Sequence, residues 1–171
     1  TVKAFLQTDM PQELRVIPEI ADLLEPVPKL EQDISNAILS DDEMSDSASH
    51  ELRSIRRDIR SKNEQIKSRL QKMVTSGSAK THLQDAIVTM RNGRYCLPVK
   101  AEHKNQIAGM VHDQSSSGST FFIEPLVIVK LNNEIRELEI SEQKEIEIIL
   151  GKLSQMAAEY SDPLEDDFHI L

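Results

Sequence analysis

The sequence predicts a mainly α-helical chain with a small antiparallel β insert, an α+β fold. Two long helices form an antiparallel arm that carries the β unit, and short helices precede them. Three observations predict this. Apolar residues recur at helical spacing along residues 47–74 and again along 126–160. Between these stretches the period changes to two around Asn92-Gly93, the strongest short hairpin signal. The chain of 171 residues is 39% hydrophobic and 29% charged. That is wetter than an ordinary domain, at roughly 45–50% apolar counting Gly, and suits long exposed helices.

Residues 1–46 read as short core helices. Leu14, Ile17, Ile20, Leu23 and Leu24, then Leu30, Ile34, Ala37 and Ile38, sit at helical spacing, punctuated by Pro11, Pro18, Pro26 and Pro28. Asp41-Asp42-Glu43 reads as a polar connection. Residues 47–79 hold the first long helix, with Ser47 or Ser49 as N-cap and Glu51 favouring the helix dipole. Ala48, Leu52, Ile55, Ile59, Ile66, Leu70 and Met73 form a narrow seam of coiled-coil type, and Ser76-Gly77-Ser78 ends the helix. Residues 80–125 form the β unit, read as a meander of strands near 86–90, 94–99, 107–112 and 119–123. Pro98 cannot donate to a ladder and predicts an edge. Residues 126–161 form the second long helix, with Pro125 at its start and Leu131, Ile135, Leu138, Ile146, Ile149, Leu153 and Met156 as its seam. About 28 helical residues make an arm of roughly 40 Å. Residues 162–171 read as a break or tail.

The net charge of −9 conceals an asymmetry. Residues 1–49 carry 3 Lys/Arg against 11 Asp/Glu, residues 50–104 carry 13 against 5, and residues 105–171 carry 4 against 13. A basic helix lying beside an acidic one explains the helical part. A local anion-binding surface is the sharper reading of the basic residues beyond that helix. No apolar run approaches the ~18 residues that span a bilayer, so no membrane partner is expected. One cysteine, Cys96, excludes an internal disulfide and a multi-cysteine metal site, and the default compartment is the cytoplasm.

Catalytic signatures are lacking, so no catalytic residue is assigned. No phosphate loop of the G-x-x-x-x-G-K-[ST] type occurs. No two histidines stand at metal-ligand spacing, so no metal is expected. His112-Asp113 is at most half of a hydrolase metal site. The feature above background is basic charge on the β unit. Arg91 and Arg94 bracket the Asn92-Gly93 turn, and Lys100, His103 and Lys104 lie on the next connection, with Glu102 the one acid over 86–106. These five residues are the candidate nucleic-acid contacts, because Arg and Lys neutralise backbone phosphates without reading sequence. Read from composition alone, a solvated sheet edge explains them equally well.

Specific strings carry a resemblance. Ile87-Val88-Thr89-Met90-Arg91-Asn92-Gly93-Arg94-Tyr95, Leu97-Pro98-Val99-Lys100-Ala101-Glu102-His103, Val111-His112-Asp113-Gln114-Ser115-Ser116-Ser117-Gly118, Phe122-Ile123-Glu124-Pro125 and Leu131-Asn132-Asn133-Glu134-Ile135-Arg136-Glu137-Leu138 closely resemble the bacterial MutS-two family, paralogues of the mismatch-repair protein MutS. The resemblance covers about 47–153. It implies a core, a pair of lever helices with a clamp at their tip, a MutS-type ATPase and usually a C-terminal Smr nuclease domain. This chain resembles the core, lever and clamp alone. No cofactor is implied for it, whereas ATP and magnesium are implied for its parent, together with endonuclease activity and a homodimer. The family's associations imply branched or duplex DNA, in suppressing homologous recombination, or ribosomal RNA, on collided ribosomes.

The expected function is therefore a nucleic-acid-embracing clamp and lever within a larger ATPase. The rival is a structural coiled-coil dimerisation module whose charge serves packing. A metal hydrolase around His112 and Asp113 is a distant third.

Overall fold

The computed structural model describes residues 3–4 and 16–170. Leu14 of the first expected short helix and the punctuating Pro11 lie outside these residues. The chain divides into two compact units, residues 1–52 with 145–171, and residues 53–144.

In the first unit, α1 (Val16–Leu23) and α2 (Pro28–Ala37) flank the break at Pro26-Val27-Pro28. Pro28 stands in the first turn of α2, where the N–H it lacks would have no helical acceptor. Next comes a two-stranded hairpin that the helical reading did not foresee, β1 (Ile38–Ser40) against β2 (Glu43–Met44), turning at Asp41-Asp42. The helix α3 (His50–Thr75) then begins. Of the two candidate caps, Ser49 performs the role: its Oγ accepts the Leu52 N–H at 2.9 Å and donates to Glu145 Oε1 at 2.8 Å. The core of this unit is Ala37, Met44, Leu52 and Ile149, with Ala48, Ile146 and Leu153 packed on it. The last helix, α6 (Ser161–Ile170), replaces the expected break or tail. Pro163 occupies its first turn, where proline opens a helix rather than breaking one.

The second unit holds most of α3, the short α4 (Gly77–Lys80), a four-stranded sheet and the first part of α5 (Leu126–Ala158). The strands are β3 (Thr89–Arg91), β4 (Arg94–Lys100), β5 (Gly109–Gln114) and β6 (Thr120–Pro125), with a 3-10 helix at Ala101–Gln106. Every pairing is antiparallel, but the order is β3-β4-β6-β5, which corrects the expected meander. The 3-10 helix carries the chain past the place that β6 later fills. Pro98 is consequently internal, facing Phe122 of β6. The ladder tolerates it because β3 stops pairing at Cys96 and residues 82–84 take over on that side, with the Gln84 N–H donating to the Pro98 carbonyl at 2.9 Å.

Two antiparallel helix stretches cover one side of this sheet. Ile66, Leu70 and Val74 of α3 and Ile128, Leu131 and Ile135 of α5 share one core with Leu97, Val99 and Ile123 of the strands. Lys62 bonds Glu134 at 2.6 Å and Arg56 bonds Glu142 at 2.7 Å, so rising numbers on α3 meet falling numbers on α5. The basic helix does lie beside the acidic one. Among the described residues no helix is long and apolar enough to cross a membrane.

Candidate nucleic-acid interface

The Asn92-Gly93 turn forms as its residue types require, with positive φ of 51° at Asn92 and 73° at Gly93. It places Arg91 opposite Arg94. Neither guanidinium is left to solvent alone. Arg94 Nη1 donates to both carboxylate oxygens of Glu124, at 2.9 and 3.2 Å, and Nη2 donates to Asn133 Oδ1 at 2.6 Å. Glu124 is fully buried, and it also accepts from Asn132 Nδ2 at 2.7 Å and meets His112 Nε2 at 2.5 Å. A buried carboxylate is tolerated only when its lone pairs are answered, and here three side chains answer them.

Local backbone irregularities build this cluster. The register of β5 against β6 slips between Val111 and Asp113, so His112 is the extra residue of a bulge. A bulge re-aims a side chain, and this one turns the imidazole toward Glu124. Gly109 lets the two strands close: a Cβ there would overlap the Glu124 carbonyl oxygen. Arg91 meets Asp113 at 3.3 Å, and its guanidinium lies 3.8 Å from the Phe122 ring centroid. Glu102 is the one acid over 86–106, yet each turn arginine meets a carboxylate from further along the chain, supplied by β6 or β5. His112 and Asp113 are directed to separate partners, and among the described residues no group of three His, Cys, Asp or Glu gathers to hold a metal.

The other three candidates lie at the opposite end of β4. Lys100 Nζ reaches the Thr81 carbonyl at 3.5 Å. Lys104 Nζ sits 4.4 Å above the Phe121 ring. His103 stands 4.0 Å from Glu102, and its ring is 4.8 Å from that of His82. Among the described residues, neither Lys100 nor Lys104 pairs with a carboxylate. The five candidates therefore form two groups at opposite ends of one strand. Glu124, Asn132, Asn133 and His82 were not foreseen. The sole sequence signal for Glu124 is a carboxylate inside the apolar run Phe121-Phe122-Ile123-Glu124-Pro125.

Cys96 and Glu134 are displaced from their ordinary values. Burial, then the nearby Glu124 charge, pushes the Cys96 thiol up to about 11. The hydrogen bond from Lys62 holds the Glu134 carboxyl below its ordinary value.

No protein-family model matches the chain. The chain is similar to several proteins named endonuclease MutS2. That of Agathobacter rectalis is 53% identical over 148 residues, covering 86% of this chain and 19% of the relative. That of Alkaliphilus oremlandii is 45% identical over 171 residues, covering 99% and 22%. That of Clostridioides difficile is 47% identical over 156 residues, covering 91% and 20%. The chain spans about a fifth of the length of these relatives.

Proposed function

The chain belongs to the MutS2 family as a segment about a fifth of its relatives' length, and we propose that it is the nucleic-acid-binding clamp and lever region of a larger MutS-like ATPase. On this reading the paired helices are the levers and the β unit is the clamp. The partner is branched DNA, held during suppression of recombination, or the RNA of a stalled ribosome. ATP and magnesium use, endonuclease activity and homodimer formation are proposed for the whole protein alone. No residue of this chain is given a part in them.

One observation carries the reading. On the helix pair, Arg56 and Lys62 are answered by Glu142 and Glu134, while Arg53, Lys67 and Lys72 are exposed on its outer surface without a carboxylate partner among the described residues. On the β unit, Lys100 and Lys104 have no carboxylate partner among the described residues. Positive charge not neutralised internally is what a phosphate backbone recruits. Fluorescence anisotropy with branched DNA, linear duplex and structured RNA at several salt concentrations tests this. Salt-sensitive binding to any of the three supports it, and the polymer preferred identifies the partner.

The coiled-coil dimerisation module is favoured by a separate observation: Ile148 is 51% and Leu150 41% exposed on α5. A concentration-dependent dimer in sedimentation, together with no binding to any of the three polymers, would select it.

A further inference from the structure

We propose that the phosphate-contacting surface of the β unit is the end of the sheet where three segments meet, residues 81–82, 100–104 and 115–119, and that the arginine end is a structural lock. This rests on the nucleic-acid reading above and assigns the contact within it.

The three segments are knitted together by backbone bonds. The Lys100 N–H donates to the His82 carbonyl at 3.0 Å, and the Ala101 N–H donates to the Ser119 carbonyl at 2.9 Å. The segment 115–119 is a serine loop shaped by Gly118 at φ 74°. Ser115 Oγ accepts the Thr120 N–H at 3.1 Å, and Ser117 and Ser119 share a hydroxyl bond of 2.8 Å. Ser116 is exposed, and its hydroxyl meets no partner among the described residues. Lys100 pairs with Thr120, the residue just after this loop. The end of β4 thus gathers two ammonium groups, the His82 and His103 imidazoles tilted 47° to each other, and a run of hydroxyls, beside the carboxylate of Glu102. Each of the ammonium, imidazole and hydroxyl groups can donate to a phosphate oxygen.

The arginine end is arranged differently. Arg94 is committed to Glu124 and Asn133, and Arg91 to Asp113 and the Phe122 face. A phosphate arriving there competes with an existing carboxylate, and stripping Arg94 from Glu124 would leave a buried charge less well answered. From Arg94 to Lys100 the strand runs about 20 Å, so one phosphate cannot touch both ends. The ligand chemistry is the phosphodiester backbone, shared by DNA and RNA and read without regard to sequence.

The test uses four forms of the chain: wild type, Lys100→Ala with Lys104→Ala, Ser116→Asp, and Arg91→Ala. Each is titrated against a 20-base-pair DNA duplex and an RNA hairpin at several salt concentrations, with circular dichroism as a check on folding. Loss of two phosphate contacts in the double variant should flatten the salt slope by about 2 and weaken binding about tenfold or more at low salt. Ser116→Asp, an exposed loop change that adds a negative charge, should weaken binding with the fold intact. Arg91→Ala should leave the slope unchanged. If Arg91→Ala weakens binding as much as or more than the lysine pair, the assignment is overturned while the nucleic-acid reading stands. If wild type binds neither polymer in a salt-dependent way, the reading itself fails and the assignment falls with it. The relative strength of the DNA and RNA titrations distinguishes the two sources of phosphate.

Discussion

Arg91 and Asp113 lie 3.3 Å apart although they belong to opposite edges of a four-stranded sheet. Arg91 ends β3, Asp113 lies in β5, and β4 and β6 stand between them. The guanidinium bridges that gap over the face of Phe122, and Asn92 Nδ2 donates to the His112 carbonyl at 3.4 Å beside it. The sheet therefore curls until its two edges touch at the turn end. Edges drawn together in this way present less unpaired backbone to a passing chain. The same curl brings both His112 and Arg94 to the carboxylate of Glu124.

Breaking the Glu124 cluster will be strongly destabilising. Glu124 has no exposed surface, and removing one partner of a buried pair costs roughly 3–5 kcal/mol. Arg94→Met should fall toward the lower end, about 3 kcal/mol, because Asn132 and His112 still face the carboxylate. Urea denaturation monitored by circular dichroism reads the change. A loss below about 1 kcal/mol would place the pair among ordinary surface bridges instead.

Cysteines at positions 52 and 153 should cross-link. Leu52 and Leu153 belong to one apolar cluster, brought together by the start of α3 and the end of α5. Leu52→Cys with Leu153→Cys should close an intramolecular disulfide under a mild oxidant, a bond neither single variant can form; a bulky thiol reagent is unsuitable because position 52 is fully buried. Products confined to intermolecular dimers would contradict this packing.

Cys96 should be inert in the native chain. The thiolate is the reactive form, and burial has moved the thiol up to about 11. Labelling with a disulfide reagent at pH 8 should be slow in buffer and immediate in 6 M guanidinium. Fast labelling in buffer would mean that the β4 face opens readily.

Glu134 should contribute to the acid limb of stability. Its folded carboxyl lies below the ordinary 4.5 because Lys62 donates to it. A depressed carboxyl contributes stability that is present above the unfolded value and is lost as pH falls through the folded one. The stability gap between wild type and Glu134→Gln should therefore be constant near neutral pH and close progressively below about pH 4.5. A gap that widens on acidification would contradict the assignment.

What was legible in the sequence was local. Helix periodicity located α3 over His50–Thr75 against an expectation of 47–74, and the residue types at Asn92-Gly93 specified a turn with both φ values positive. Strand order was not legible, because alternation assigns residues to faces and says nothing of which strand lies next to which. Pro98 was misplaced for the same reason: its internal position depends on β6 and on residues 82–84, both remote in sequence. The partner of Arg94 lies 30 residues away, and a bulge at His112 helps to build its site. Composition could count the charges on the β unit but could not tell which of them were already paired.

The measurement that bears most directly on the central claim is the dependence of the binding constant on salt, for the wild-type chain with branched DNA, duplex DNA and structured RNA. Counterion release gives a slope of about −0.9 per phosphate neutralised on duplex DNA. Contacts by Lys100, Lys104 and their neighbours should give a slope near −2 to −4 with at least one of these polymers, with dissociation constants in the non-specific range of about 10⁻⁴ to 10⁻⁶ M. A slope indistinguishable from zero with all three would contradict the account and leave the chain a module for holding helices together.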